Sequence, residues 1–314
     1  MKVLYFFYIL SFFSLETLSA TPQKEYKAYH LKVLQAEQYI ASENYTEALL
    51  VYDQLCTIYD FVFLREYQIA TQLAAYTEDK TKTLAYLKAA IQAGWTLKSI
   101  KKNTLLKQYL TKEDWKAIKK QYPSLRIRYE NSLETSVRQQ VKKMYSKDQW
   151  KAIKALFRFS SKAQDRYAEK KFAPHSEQQI AQLSEILSRY GYPGERLIGT
   201  GDWMATILSH HNSISTAYNK KDTLYPSLIP QFKEAIKNGQ LSPYQFASID
   251  DWYRTCINDP SKATYGILNT PSPENRSKTD VLRAQIHIRS IAVRDALLRI
   301  EEKTGMVLYI TDIW

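Results

Sequence analysis

The segment from Tyr190 to Asn212 holds the residue types and spacings that are best suited to a chemical site in this chain. Four of the eight glycines lie between Gly191 and Gly201, and two adjacent histidines, His210 and His211, follow them. An imidazole is suited to acid/base chemistry near neutral pH or to metal binding. Adjacent helical residues project about 100° apart, however, and the chain has neither an HExxH motif nor paired cysteines. No metal site is therefore predicted.

The glycine spacing also excludes two nucleotide-binding motifs. It fits neither the GxGxxG dinucleotide fingerprint nor the phosphate-binding loop, which ends in GK[ST]. The glycines therefore indicate either a tight connection between two helices or a ligand-binding loop. No cofactor is predicted in either case.

Two helices are expected to flank this glycine loop. Ser176 and Gln179 form a capping-box pattern that predicts the start of the first helix, and Gly191 is suited to end it. Asp202 is a good N-cap for the second helix, which carries His210 near its end. The sequence thus predicts a helix, a constrained loop and a helix that together form one wall of a pocket.

The first half of the chain has helical periodicity throughout. Residues 26–42, 45–56, 61–76 and 80–93 each predict a short amphipathic helix, and consecutive pairs are expected to form antiparallel hairpins. The segment AEQYIASENYTEALLVYDQL, Ala36 to Leu55, resembles a tetratricopeptide repeat. This resemblance implies a scaffold whose helical repeats bind a protein partner. The alternative is that these helices merely pack on the second half.

A domain boundary is predicted near the middle of the chain. Thr111 and Asp114 are suited to cap a short helix that runs to Lys120, and the Tyr-Pro-Ser sequence at residues 122–124 should break it. The predicted fold class is all-α, with stacked helical hairpins followed by a helical domain with a Gly/Pro-rich loop. The predicted parts are a leader at 1–20, a tetratricopeptide-like domain at 21–122 and a helical domain at 123–314.

The first twenty residues resemble a secretory signal. Lys2 precedes the apolar run VLYFFYILSFFSL, and small residues up to Ala20 are suited to cleavage there. The run is too short for a comfortable membrane span, although an uncleaved anchor is the alternative. We therefore expect an extracytoplasmic protein, periplasmic or secreted, that has no membrane span after removal of the signal.

The net charge of +12 is concentrated in the middle of the chain. Between Lys98 and Lys171 there are 21 Lys and Arg against 7 Asp and Glu. In an exported protein this surplus favours contact with anionic polysaccharide, membrane lipid or an acidic protein face, and nucleic acid is not expected. The alternative is a solvated face of amphipathic helices, because lysines alternate with Trp115 and Trp150 at helical spacing.

A second resemblance covers residues from about 144 to 300. This part is similar to a bacterial domain family of unknown function, numbered 6624. The residues that carry the resemblance are Asp148-Gln149, Gly191-Tyr192-Pro193, Ile198-Gly199, His210, Asp251 and Tyr265-Gly266. The chain departs from the family pattern at Trp252, where the family has Arg. The resemblance implies that His210, Asp251 and Tyr265 converge in one pocket, where a His near a carboxylate is suited to acid/base catalysis.

Three functions are compatible with these observations. The leading prediction is an exported interaction scaffold that binds a protein through its N-terminal helical repeats. The first alternative is an exported, hydrolase-like enzyme that uses His210, Asp251 and Tyr265 as catalytic residues. The second alternative is binding of an anionic glycan or a membrane surface through the basic region Lys98–Lys171.

Overall fold

The computed structural model describes residues 25–157, 160–259 and 262–310. Within these ranges all regular structure is helical and no strand occurs, which confirms the predicted all-α class. The helices of the first half are α1 Lys27–Ala41, α2 Tyr45–Ile58, α3 Leu64–Tyr76, α4 Lys80–Gln92, α5 Leu97–Ile100, α6 Thr104–Tyr109, α7 Lys112–Asn131 and α8 Thr135–Leu156. The helices that follow are α9 Ser161–Tyr167, α10 Ala173–Tyr190, α11 Glu195–Ile198, α12 Trp203–His211, α13 Thr216–Asn219, α14 Leu224–Lys237, α15 Pro243–Ile257, α16 Arg276–Gln285 and α17 Ile291–Thr304.

The first four helices form two successive hairpins, as their periodicity predicts. α1 packs on α2, α3 packs on α4, and α2 joins the two pairs. Small residues such as Ala36, Ala48 and Ala70 are fully buried between them and allow the helices to approach closely. The turn within each hairpin has the same left-handed residue, Glu43 in the first (φ 62°) and Glu78 in the second (φ 61°). The two hairpins are therefore versions of one local unit.

The C-terminal half of the chain fills one side of these hairpins. The Tyr26 amide donates to the carbonyl of Lys237 at 2.8 Å, and α1 also packs on α17. Beyond α17 the chain is extended, and Met306 and Leu308 are buried in the core of the hairpins. The helical repeats therefore have a covered face rather than an open groove along α1 and α3.

A buried charge cluster joins the two halves. The carboxylate of Glu37, on α1, accepts from Arg65 at 2.5 Å, from Arg289 at 2.6 Å and from the Tyr244 hydroxyl at 2.6 Å. Burial alone would raise the pKa of Glu37, but the two guanidinium groups outweigh it and hold this pKa below its ordinary value. The cluster is thus a buried ionic contact between distant parts of the chain.

The predicted helix end at Lys120 is wrong, because α7 continues through Pro123 to Asn131. The predicted Thr111–Asp114 capping box is present at its start. A proline inside a helix costs roughly 3 kcal/mol. Leu125 and Tyr129 are buried beyond it, and each buried side chain contributes about 1.5–3 kcal/mol, which offsets that cost. The predicted domain boundary consequently falls inside a continuous helix.

No described helix combines the length and the apolar character that a membrane span requires. The predicted leader, residues 1–20, lies outside the described residues.

Candidate functional site

The glycine loop after α10 is held in place from both halves of the chain. Gly191 ends α10 with φ +82°, as predicted, and Gly199 ends α11 with φ +81°. A side chain at Gly199 would overlap the hydroxyl of Tyr129, which accepts from the Thr200 amide at 2.8 Å. Since Tyr129 lies on the part of α7 beyond Pro123, the unexpected extension of α7 positions the loop.

A cavity of about 200 Å³ lies between this loop, the start of α3 and the start of α15. Binding pockets for drug-sized molecules usually enclose roughly 300–1,000 Å³, so this cavity fits one small ring or a group of similar size. Its polar lining is Arg65, Gln68, Glu195, Thr200, Asp202, Ser242 and Gln245. Its larger aromatic residues are Tyr192, Trp203, Tyr244 and Tyr309. The two halves of the chain therefore build this cavity together.

Glu195 is a cavity carboxyl group whose properties differ strongly from those of a surface residue. It lines the cavity, is partly exposed, and accepts a hydrogen bond from the Leu64 amide at 2.5 Å. Burial raises the pKa of Glu195 to about 8, and the charges of Glu66 and Asp202 act in the same direction, against the Leu64 hydrogen bond. At neutral pH this group is mainly a protonated acid that has a proton to donate.

Asp202 lies at the same cavity in an unusual backbone conformation. It precedes α12 with φ 43°, a left-handed conformation that costs free energy in a residue other than glycine. Its side chain makes no capping bond to α12, contrary to the sequence prediction, and accepts from Gln245 Nε2 at 2.9 Å instead. Burial of the carboxyl group raises the pKa of Asp202, whereas this hydrogen bond lowers it. Part of the side chain is exposed to water, and hydration of the carboxylate opposes the effect of burial.

Tyr192 adds a hydrogen-bonding group to the cavity that has no partner among the described residues. Its side chain is 1% exposed, and its ring packs edge-on against Phe232. An unpaired buried hydroxyl costs free energy, so such groups commonly mark a place where a ligand or water binds. The cavity therefore has an acid and a carboxylate in its lining, and a buried, unpaired hydroxyl belongs to one of its wall residues.

The structure gives His210 a different carboxylate partner from the predicted one. His210 Nδ1 lies 2.5 Å from Oδ2 of Asp148, which is completely buried on α8. The His210 ring is partly exposed and contacts the edge of Phe172. This pair resembles the arrangement in which a carboxylate orients an imidazole.

Asp251, the predicted partner of His210, holds a loop in place. Its two carboxylate oxygens accept from the amides of Tyr265 at 2.5 Å and Ile267 at 2.7 Å. Burial raises the pKa of Asp251 to about 6, although these two hydrogen bonds oppose the shift. The Tyr265 ring is buried against Phe246. Asp251 and Tyr265 thus meet through the backbone, and among the described residues no hydrogen bond joins His210 to either of them.

The predicted capping box at Ser176 is also corrected. α10 begins at Ala173, directly after a π-helical turn, so Ser176 lies inside the helix. Its hydroxyl is 2.9 Å from Nδ1 of the buried His211, and Gln179 Nε2 donates to the Met144 carbonyl at 2.9 Å. Both side chains therefore serve contacts between helices rather than a helix start.

Sequence reasoning did not select Glu195 or Asp202 as site residues. The concentration of glycines was the available signal, because it indicated a constrained backbone around both Glu195 and Asp202.

Comparison with known proteins found no relative of this chain: no family model, curated protein or solved structure matches it. The resemblances to tetratricopeptide repeats and to family 6624 remain predictions from the sequence.

Proposed function

We propose that this protein is an exported hydrolase that cleaves a glycosidic bond in the cavity beside the glycine loop. Glu195 is the proposed general acid and Asp202 the proposed general base. The observation that carries this proposal is the Glu195 carboxyl, which lines a small cavity and is held protonated near neutral pH beside a second, more solvated carboxyl. Two carboxyl groups kept in different protonation states are the usual equipment for this reaction.

The proposed reaction consumes only the substrate and one water molecule and needs no cofactor. Glu195 donates its proton to the glycosidic oxygen as the bond from that oxygen to the sugar carbon breaks. A water molecule adds to the sugar carbon and gives its proton to the Asp202 carboxylate. Exchange of these protons with solvent restores both carboxyl groups for the next reaction.

The lining of the cavity favours a sugar among polar substrates. The carboxylate of Asp202 and the amide of Gln245 can pair with the hydroxyls of one ring. The partly exposed ring of Trp203 offers an apolar surface of the kind that covers the C–H face of a sugar. The guanidinium of Arg65 is already paired with Glu37 and Glu66, so its charge is not free to attract an anionic substrate.

The packing of the N-terminal hairpins favours this function over the interaction scaffold. The start of α3 supplies Leu64, Arg65 and Gln68 to the cavity wall. α1 and α17 cover each other, and the extended residues 306–310 pack beside α3. The repeats thus contribute a wall of the site, and the covered face is not available as a groove for a partner. Export itself rests on the leader predicted at residues 1–20.

The proposal is tested by following new reducing ends released from a panel of polysaccharides, including bacterial cell-wall glycan, chitin, xylan and β-glucan. We expect the wild-type protein to cleave at least one of them, and Glu195→Gln and Asp202→Asn to lower that rate by about 10²–10⁴-fold. Glu185→Gln, an exposed carboxyl in the middle of α10, is the matched control and should retain full rate.

Two results would overturn the proposal. One is that the wild-type protein cleaves no member of the panel faster than Glu195→Gln does. The other is cleavage that survives in both carboxyl variants but is lost in His210→Gln, which would place the chemistry at the Asp148–His210 pair instead. Export is checked by measuring the mass of the protein recovered outside the cytoplasm. This mass should correspond to a chain without residues 1–20.

A further inference from the structure

The end of α8 presents an apolar stripe to solvent. Among the described residues, Phe157 and Trp150 are the most exposed large apolar side chains, at 70% and 69%, and Ile153 is 42% exposed. The spacing 150, 153 and 157 places the three on one side of the helix, with Phe157 directly after its last residue. The opposite side of α8 is buried through Val137, Val141 and Met144. The stripe is therefore a second apolar face that the described residues leave largely uncovered.

Lysines flank this stripe. Lys143, Lys147 and Lys154 are exposed, and at 100° per residue all three lie within about 60° of Trp150 around the helix. Residues 142–171 contain 10 Lys and Arg against 3 Asp and Glu, and one of those three, Asp148, is buried against His210. The surroundings of the stripe therefore carry a strong positive charge.

We propose that this stripe binds the surface of an anionic lipid bilayer. A helix with aromatic residues on one face and lysines beside them lies in the plane of a membrane interface, with its apolar side chains among the upper acyl chains and its lysines at the lipid head groups. Tryptophan in particular favours this interface. A soluble anionic polysaccharide would pair with the lysines but has no acyl interior in which Trp150, Ile153 and Phe157 can be buried together, so the three exposed apolar side chains favour lipid.

The test is sedimentation of the purified protein with vesicles of equal parts phosphatidylglycerol and phosphatidylcholine, against vesicles of phosphatidylcholine alone. We expect binding to the anionic vesicles that weakens as salt rises. Trp150→Ser/Phe157→Ser should lower the partition coefficient by about ten-fold or more, because two inserted rings are lost. The matched control, Leu50→Ser/Val281→Ser, removes two exposed apolar side chains elsewhere and should bind as the wild type does.

Two double charge-reversal variants distinguish contact of the stripe with lipid from a general effect of net charge. Lys147→Glu/Lys154→Glu should lower binding by about ten-fold or more, whereas Lys116→Glu/Lys119→Glu makes the same change in net charge on α7 and should have a much smaller effect. All four lysines are exposed, so each variant is expected to fold, and circular dichroism verifies this.

Three outcomes would overturn the proposal. The first is no sedimentation with anionic vesicles. The second is binding that dextran sulfate matches and that Trp150→Ser/Phe157→Ser leaves unchanged, which would indicate a soluble polyanion as the ligand. The third is absence of vesicle binding together with a concentration-dependent dimer that the same double variant abolishes, which would show that a second copy of the chain covers the stripe.

Discussion

Replacing Glu195 by Gln should change how the stability of this protein depends on pH. Gln keeps a side-chain oxygen that can accept from the Leu64 amide, but it cannot ionise. The pKa of Glu195 is raised from an ordinary 4.5 to about 8 in the folded protein, mainly by burial. The folded state therefore binds this proton more tightly than the unfolded state does. The resulting stability is complete below pH 4.5 and is lost as the pH rises toward 8.

The size of this loss follows from the two pKa values. At about 1.36 kcal/mol per pH unit, the difference between 4.5 and about 8 gives an upper bound of about 5 kcal/mol. The side chain is partly exposed, and solvent screening reduces the effect. We therefore expect the wild-type protein to lose about 2 kcal/mol relative to Glu195→Gln between pH 4.5 and pH 8.5.

The assay is urea unfolding of both proteins at pH 4.5, 6.5 and 8.5, followed by circular dichroism. The difference in unfolding free energy between them isolates Glu195, because the other titrating groups are common to both. Glu185→Gln is the control for loss of a carboxyl at an exposed position and should track the wild type at every pH. If the difference between the wild type and Glu195→Gln is constant over this range, Glu195 is not a buried acid and its proposed role as a proton donor fails.

Two further predictions concern the contacts that hold the site. Gly199→Ala should lower the unfolding free energy by about 2–3 kcal/mol, since its φ is +81° and a Cβ overlaps Tyr129; Gly305→Ala, with φ +71° and open space, should cost only about 1 kcal/mol. Equal losses in urea unfolding would show that the close approach to Tyr129 is unimportant. Glu37→Gln should cost about 3 kcal/mol because it leaves the buried Arg289 guanidinium without a carboxylate and Arg65 with Glu66 alone, whereas Glu43→Gln, in an exposed pair with Lys303, should have little effect. A small loss for Glu37→Gln in the same assay would contradict the proposed importance of the buried cluster.

The local parts of this fold could be predicted from the sequence. Periodicity identified the helices from α1 to α4, and their bounds differ from the predicted ones by only a few residues. The capping box at Thr111 and the helix end at Gly191 were also correct. These features depend on residues that are close together in the chain, so a short window of sequence contains all the information that they require.

The errors have a common physical origin in contacts between distant residues. Pro123 does not end α7, because Tyr129 is buried against a loop some 70 residues later. Ser176 does not cap α10, because its hydroxyl forms a hydrogen bond with the buried His211. The raised pKa of Glu195 depends on burial beside Leu64, which lies 131 positions earlier. A single sequence contains no signal for which distant segment will cover a given side chain.

The proposed site depends on the assembled chain rather than on one of the predicted domains. Residues 123–314 carry Glu195 and Asp202, but the amide that contacts Glu195 belongs to Leu64 in the first half. The buried Glu37 cluster joins the same two halves beside the cavity, since Arg65 and Tyr244 belong to both the cluster and the cavity lining. Separation of the halves would expose Glu195 to water and remove the burial that raises its pKa. The N-terminal hairpins are thus required to keep this carboxyl protonated, which gives the repeat-like half a role in the proposed chemistry.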